Sequence, residues 1–377
     1  MSGLSFRNGT VLAADGRSTD AALSVNADGT IGAIASDATA PDAIDLDGGF
    51  LLPGFIDTQV NGGGGVLFND TPDVATIARI GEAHRRFGTT AFLPTLISDT
   101  LDVIEAALDA TDAAIDAGVD GCIGVHVEGP FLNPVRRGIH DKQHFRALDD
   151  RAIRLLTRPS RGKVMVTVAP EQNDLDAIRA LVDAGVIVSL GHSDATYEQA
   201  RQAIEAGARG VTHLFNAMSP LLHRAPGMVG AALEDETVYC GLIVDKIHVH
   251  PAAIRMALKT RPADRMMLVT DAMPSVGNGC QSFMLNGELI RVENGACFSA
   301  DGTLAGCDLD MATAVANTVD IGVPIDVAAA MASANPAAFL GIGDLYGAIA
   351  VGKRADLVWL GRDLKIRGTW IGGRQVN

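Results

Sequence analysis

No stretch of the chain reaches the roughly 18 consecutive apolar residues that a membrane-spanning helix needs. The opening residues, MSGLSFRNGT, lack the charged and apolar regions of a secretory leader. Basic runs are missing as well. Thirty Lys and Arg face forty-five Asp and Glu, a formal net charge of −15. Such a surface repels nucleic acid and anionic membrane, so neither is expected as a partner, and an anionic ligand would need a few well-placed cations. The five cysteines, Cys122, Cys240, Cys280, Cys297 and Cys307, are odd in number and include no C-x-x-C pair. That speaks against a disulfide framework and for reduced thiols in a cytoplasmic protein.

What remains is ample material for a core. Of 377 residues, 47% are hydrophobic and 20% charged, and 42 are glycine. The length suits one large barrel with a modest extra domain. The first fifty residues read as short strands punctuated by the turn dipeptides Asp15–Gly16, Asp28–Gly29 and Asp47–Gly48. From Phe50 the rhythm changes. Runs of strand type over 50–60, 90–96, 122–129, 163–170, 186–193, 210–217, 239–249 and 265–272 alternate, for the most part, with segments of helical period such as TLDVIEAALDATDAAIDAG and TYEQARQAIEAG. Many helical segments begin near an Asp or Thr and end at Gly. Near-continuous aliphatic strands separated by helices imply parallel strands buried on both faces. Eight of them, each linked forward to the next, predict a closed (β/α)8 barrel of TIM type. The doubly wound alternative lacks a G-x-G-x-x-G after the first strand.

Behind strand eight, residues 282–306 read as a hairpin-rich insertion, followed by two helices over 311–322 and 325–341 and a strand-like tail. The strand-rich termini are expected to pair into one small β-sandwich domain. The divisions are then 1–53 and 342–377 for its two halves and 54–341 for the barrel.

Barrel enzymes place their chemistry at the C-terminal ends of the strands. Gln59 and Asn61 stand there on strand one, His126 and Glu128 on strand three, His192 on five, His213 on six, His248 on seven and Asp271 on eight. Glu128, His192 and His213 make a carboxylate-and-imidazole set of the kind that binds a catalytic zinc with one position left open. Iron(II), manganese and cobalt also suit such donors. Asp271 closes an apolar strand, where a cation nearby would keep it charged and let it take a proton from water. His126, two residues before Glu128, is either a supporting partner or a filler of the barrel interior.

Taken together, PGFIDTQVNGGGG (53–65), HVEGPF (126–131), GIHD (138–141), GHSDA (191–195), THLFNAM (212–218), RAPG (224–227), IHVHP (247–251), VTDAM (269–273) and GKRADLVWL (352–360) resemble the amidohydrolase superfamily, and within it the N-acetylglucosamine-6-phosphate deacetylases. Most amidohydrolases carry H-x-H on strand one, where this chain has Gln59-Val60-Asn61. Amides are poor metal ligands, so the resemblance implies a single divalent ion on Glu128, His192 and His213, with water near Gln59. Strand four ends in Ala169-Pro170-Glu171 and offers no Lys for the carbamylated bridge of the dihydroorotase-like members. The resemblance further implies that Asp271 is the general base. It has His140 contact the sugar or acetyl carbonyl, and Asn216, the backbone of Ala217, Arg224 and His248 serve the phosphate, with Gln59 and Asn61 on the substrate side. Arg224 would reach across a homodimer interface. The implied reaction is removal of the acetyl group from a phosphorylated amino sugar. Another N-acyl substrate, such as a different amino-sugar phosphate or an N-acyl amino acid, is the alternative. The family's usual D-G-x-H appears here as Asp245-Lys246-Ile247-His248, which puts an extra charge close to the expected phosphate position.

Overall fold

The computed structural model describes residues 2–14, 16–18, 20–35, 42–158 and 161–377. Asp15 of the Asp15–Gly16 dipeptide lies outside them.

Eight parallel strands form the central sheet: β1 (Phe55–Val60), β2 (Thr89–Ile97), β3 (Gly124–Glu128), β4 (Lys163–Val168), β5 (Ile187–Leu190), β6 (Gly210–Val211), β7 (Tyr239–Leu242) and β8 (Met266–Leu268). They neighbour one another in chain order. All nine residues of β2 are buried, as a strand covered on both faces requires. Helices α1 (Val74–Arg85), α2 (Leu101–Asp116), α3 (Asp150–Leu156), α4 (Leu175–Asp183), α5 (Tyr197–Glu205), α6 (Gly227–Glu234) and α7 (Pro251–Thr260) follow successive strands. Asp73, Thr100, Asp149 and Thr196 each accept a backbone N–H of the first helical turn, the N-cap bond that satisfies an otherwise orphaned donor. Gly118, Gly185 and Gly207, just past α2, α4 and α5, take the positive φ that ends a helix without steric cost.

The seam between β8 and β1 carries a single bridge, Val60 to Ala272, instead of a full ladder. A buried carboxylate reinforces it. Asp57 on β1 accepts from the Thr270 hydroxyl at 2.5 Å, from the Thr270 N–H at 3.3 Å and from the Gln59 N–H at 3.1 Å. Burial pushes the Asp57 carboxyl up to about 7 against the pull of these bonds.

One expected strand proves to be two. The 50–60 run breaks at Gly54, where an added Cβ would meet the Thr90 hydroxyl at 2.1 Å. Phe50–Pro53 joins a six-stranded sheet in which it lies between the N-terminal strand Thr10–Ala13 and the C-terminal strand Leu357–Leu360. A second sheet of Ser2–Arg7, Ala21–Val25, Ile31–Ala35 and Ile44–Asp45 packs on it. Phe6, Leu23, Ile31, Leu51, Leu357 and Trp370 fill the space between, with Phe6 edge-on to Trp370 at 5.4 Å. The two chain ends therefore share one sandwich core. The insertion forms a four-stranded antiparallel sheet between Ser282 and Cys307 that packs on Leu67, Ile97 and Met273 and brings Thr303–Gly306 to the barrel mouth.

The expected helix over 325–341 is also divided, into α9 (Ile325–Ala332) and α10 (Ala334–Leu340), after α8 (Met311–Asp320). The break falls at Ser333, because Pro336 has no N–H to donate and its ring would strike the carbonyl one turn earlier. Strand runs also end sooner than the sequence implies. The 210–217 run is strand only at Gly210–Val211, and the following loop carries His213, Asn216 and Ala217.

Candidate active site

A cavity of about 320 Å³ opens at the C-terminal ends of the barrel strands. That volume suits a small-molecule site. Asn61, Glu128, His140, His192, His213, Asn216, Ala217, His248 and Asp271 all line it. Gln59 lies beneath its floor, 2% exposed. Arg224 sits on an exposed loop and does not line this cavity.

Three side chains converge at the floor. Glu128 Oε1 lies 3.2 Å from His192 Nε2 and 3.0 Å from His213 Nε2, and the two imidazole nitrogens are 3.0 Å apart. His192 Nδ1 lies 2.8 Å from the Arg136 carbonyl, so Nδ1 carries a proton there and Nε2 is the ring nitrogen turned to the cluster. His213 Nδ1 is buried without a partner. Burial alone would raise the Glu128 carboxyl, yet the hydrogen bonds and charge of the two imidazoles outweigh it and hold it well below the ordinary carboxylate range. Burial likewise opposes charge on His213, and Glu128 overcomes it, so its pKa rises. The cluster therefore draws positive charge to one point. Tetrahedral coordination at about 2.0–2.1 Å places neighbouring ligand atoms roughly 3.3 Å apart. Glu128, His192 and His213 thus fit a divalent ion.

A second combination, Glu128, His140 and His192, also has ligand atoms within 4.8 Å of one another. His140 is less suited to it. Its Nδ1 accepts from the Ser98 N–H at 3.2 Å and faces the Ser98 hydroxyl at 2.8 Å, which leaves the proton on Nε2. Burial, followed by the charge of His192, takes the His140 pKa down to about 3. His140 is thus a neutral N–H donor facing the cavity.

The strand-one amides have a defined place. Gln59 Nε2 donates to both Glu128 oxygens at 3.1 Å and to Asp271 Oδ1 at 3.2 Å, and Asn61 Nδ2 donates to Asp271 Oδ1 at 2.7 Å. The Gln59 amide itself thus reaches into the region where H-x-H imidazoles would converge. Asp271, half-buried at the cavity wall and facing Glu128, is raised to about 6 by desolvation first and by the Glu128 charge second. A pKa near neutrality suits a general base.

His192, His213, Ala217 and Asp271 all hold φ between +31° and +50°. Non-glycine residues adopt such angles at a cost of about 1–3 kcal/mol each and keep them only where neighbours enforce them. For His192 the enforcing group is Glu171, just beyond β4, which the sequence did not single out. It accepts from the Ser193 hydroxyl at 2.7 Å, the Asp194 N–H at 2.6 Å and Asn133 Nδ2 at 2.8 Å, while the Asn133 N–H donates to the His192 carbonyl at 2.9 Å. Val135, Arg136, Ile139 and Thr303–Gly306 also line the cavity without having been expected there. They come from a loop and from the insertion, neither of which has a periodic signal.

His126 is wholly buried below Glu128, bonded to the Thr167 hydroxyl at 2.7 Å and taken down to about 4 by burial. It belongs to the barrel interior. His248 Nδ1 is bound to Asp245 Oδ2 at 2.6 Å, which leaves Nε2 for the cavity. Lys246 adopts φ +69° and turns to Asp320, 2.8 Å away, so its charge is spent there and does not reach the cavity.

A parallel barrel whose strand ends gather a carboxylate–imidazole set that fits a divalent ion, with a separate carboxylate beside it, is the architecture of a metal-assisted hydrolase. The chain belongs to the amidohydrolase family, whose family model matches residues 50–376. It is 46% identical over 330 residues to an N-acetylgalactosamine-6-phosphate deacetylase of Shewanella sp. strain ANA-3, covering 87% of this chain and 83% of that protein. The structure of an N-acetylglucosamine-6-phosphate deacetylase from Pasteurella multocida superposes with a TM-score of 0.95 at 36% identity, covering 99% of each chain. That of a Mycobacterium smegmatis N-acetyl-D-glucosamine-6-phosphate deacetylase mutant, in complex with N-acetyl-D-glucosamine-6-phosphate, does so at 0.91 and 34% identity over the whole of both chains.

Proposed function

We propose that the chain hydrolyses the acetamide of N-acetylglucosamine-6-phosphate to glucosamine-6-phosphate and acetate, using one divalent ion, with zinc the first choice for these donors. The observation that carries this reading is the placement of Asp271 beside the Glu128–His192–His213 cluster in a cavity also lined by the His140 donor. A divalent ion held by the cluster would polarise the acetyl carbonyl and acidify water.

The chain's own residues supply the rest. Asp271 takes a proton as water adds to the carbonyl carbon and returns it to the amide nitrogen as the C–N bond breaks. Asn61 and Gln59 aim its carboxylate, and His140 Nε2–H donates to the carbonyl oxygen as negative charge builds there. His248, and Asn216 with the Ala217 backbone, are assigned to the phosphate. Arg224 is assigned to the phosphate of a neighbouring subunit, since it lies exposed beside exposed Leu221 and Leu222, away from its own cavity.

The test is acetate release from N-acetylglucosamine-6-phosphate beside the sugar without phosphate, with and without a chelator. Rapid, chelator-sensitive release from the phosphorylated sugar alone supports the reading. No release from either in metal-loaded protein refutes it. The 46% identity to a galactosamine-phosphate deacetylase favours a second reading, the C4 epimer, so both epimers belong in the assay. Mixing Arg224→Ala with Asp271→Asn tests the dimer. Each alone is expected to be weak, and the mixture is expected to regain activity through hybrid sites. No recovery after subunit exchange counts against the shared site.

A further inference from the structure

Beside the cavity, three donor atoms of different kinds meet. His248 Nδ1 lies 2.6 Å from Asp245 Oδ2, and Cys307 Sγ lies 3.4 Å from that nitrogen and 3.6 Å from that oxygen. The side chains of Asp245 and His248 are nearly buried and Cys307 is wholly so. They arrive from two parts of the chain, the loop after β7 and the last strand of the insertion.

We propose that Asp245, His248 and Cys307 form a second metal site, for a borderline or soft divalent ion such as Zn²⁺, Co²⁺ or Cd²⁺, on the flank of the catalytic cavity. Thiolate, imidazole and carboxylate together are a zinc donor set. Tetrahedral bonds of about 2.3 Å to sulfur and 2.0–2.2 Å to nitrogen and oxygen put the ligand atoms roughly 3.3–3.6 Å apart. Both sulfur distances already match. The Nδ1–Oδ2 contact is shorter because a proton bridges it, and an ion would replace that proton.

On binding, the Cys307 S–H bond breaks, its proton leaves to solvent and a sulfur–metal bond forms. The His248 Nδ1 proton is lost from that nitrogen and Nε2 carries the ring's proton instead. Asp245 enters as the carboxylate it already is, held below the ordinary range because the bonds and charge of His248 and the backbone N–H groups outweigh its burial. A dication with two anions leaves a neutral site, which burial tolerates. Without an ion, burial keeps the Cys307 thiol protonated. A coordinating metal deprotonates such a thiol outright. The Glu128 cluster has no sulfur, so soft ions discriminate between the sites.

The experiment loads the full chain with one equivalent of Zn²⁺ and titrates Co²⁺ while following near-ultraviolet absorption. A thiolate-to-cobalt band saturating near one further equivalent is expected. It should vanish in Cys307→Ser while the first equivalent stays bound. No band in the parent protein, or a band that survives in Cys307→Ser, overturns the proposal. Asp245→Asn, which spares the thiol, is expected to shift saturation at least tenfold, and unchanged saturation would also overturn it. The readout needs no turnover, so it stands apart from the fate of the deacetylase reading.

Discussion

At the scale of single residues, the site holds two carboxylates whose surroundings push their pKa values in opposite directions. Glu128 is stripped of its proton by two imidazoles, while Asp271 is raised to about 6 by desolvation and then by the Glu128 charge, against the pull of the Asn61 amide. The first is suited to hold a cation and the second to move a proton. Asp271→Asn keeps an oxygen for Asn61 to bond but removes the basic site. It is expected to lower kcat by about 10²–10⁴-fold, the usual worth of a general base, with metal content unchanged by elemental analysis. A near-normal rate would refute the assignment. His140→Ala is expected to lower kcat by about 10²–10³-fold with little change in KM, because its donated hydrogen bond strengthens only as charge develops on the carbonyl oxygen. Steady-state kinetics on metal-loaded protein separates the two constants, and a loss confined to KM would place His140 in ground-state binding instead.

At the scale of elements, strand ends and their loops matter more than the strands. His192 and His213 lie just beyond β5 and β6, in loop conformations that side chains rarely adopt. What holds the His192 loop is a neighbouring loop's carboxylate, Glu171, with three donors aimed at it. Glu171→Gln turns an acceptor into a donor facing other donors. The expected result is a folded protein whose zinc affinity falls about 10–100-fold, as when the partners that orient metal ligands are removed. Calorimetric zinc titration beside a thermal melt checks this. Unchanged affinity would mean that the barrel alone fixes His192.

At the scale of the whole molecule, buried histidines are expected to weaken the fold in acid. His84 on α1 is fully buried, bonded through Nε2 to the Gly62 carbonyl at 2.9 Å, with Nδ1 lacking a partner. Burial takes its pKa down from 6.5 to about 4. The unfolded chain therefore binds a proton that the folded chain refuses. Stability is full above pH 6.5, falls as pH drops from 6.5 to 4, and then levels off for this group. The loss is on the order of 3 kcal/mol. His84→Gln keeps a donor for Gly62 and cannot charge. Its urea midpoint is expected to fall less between pH 7 and pH 4.5 than that of the parent. Parallel slopes would show that His84 is not responsible, and His126 and His140, displaced in the same direction, would be the next groups to test.

Much of this was legible in one dimension. Aliphatic runs of strand length, alternating with capped amphipathic helices, specify a parallel sheet covered on both faces, and eight forward-linked strands without a G-x-G-x-x-G after the first pointed to the closed barrel over the doubly wound sheet. His192, His213, Glu128 and Asp271 could be singled out because ionisable groups at the ends of apolar strands are costly without a partner. Three-dimensional packing decided the rest. The split of 50–60 between two sheets depends on Thr90 crowding Gly54, a contact between residues far apart in sequence. The tautomer of His140 depends on Ser98, and the bracing of His192 depends on Glu171. Lys246 reads as a cation beside the cavity until Asp320 on α8 claims it. Periodicity reports which face of an element is buried. It carries no information on which distant atom completes a hydrogen bond, and that is why the order of the strands was written in the sequence while the charge and proton positions of the site were set only by the fold.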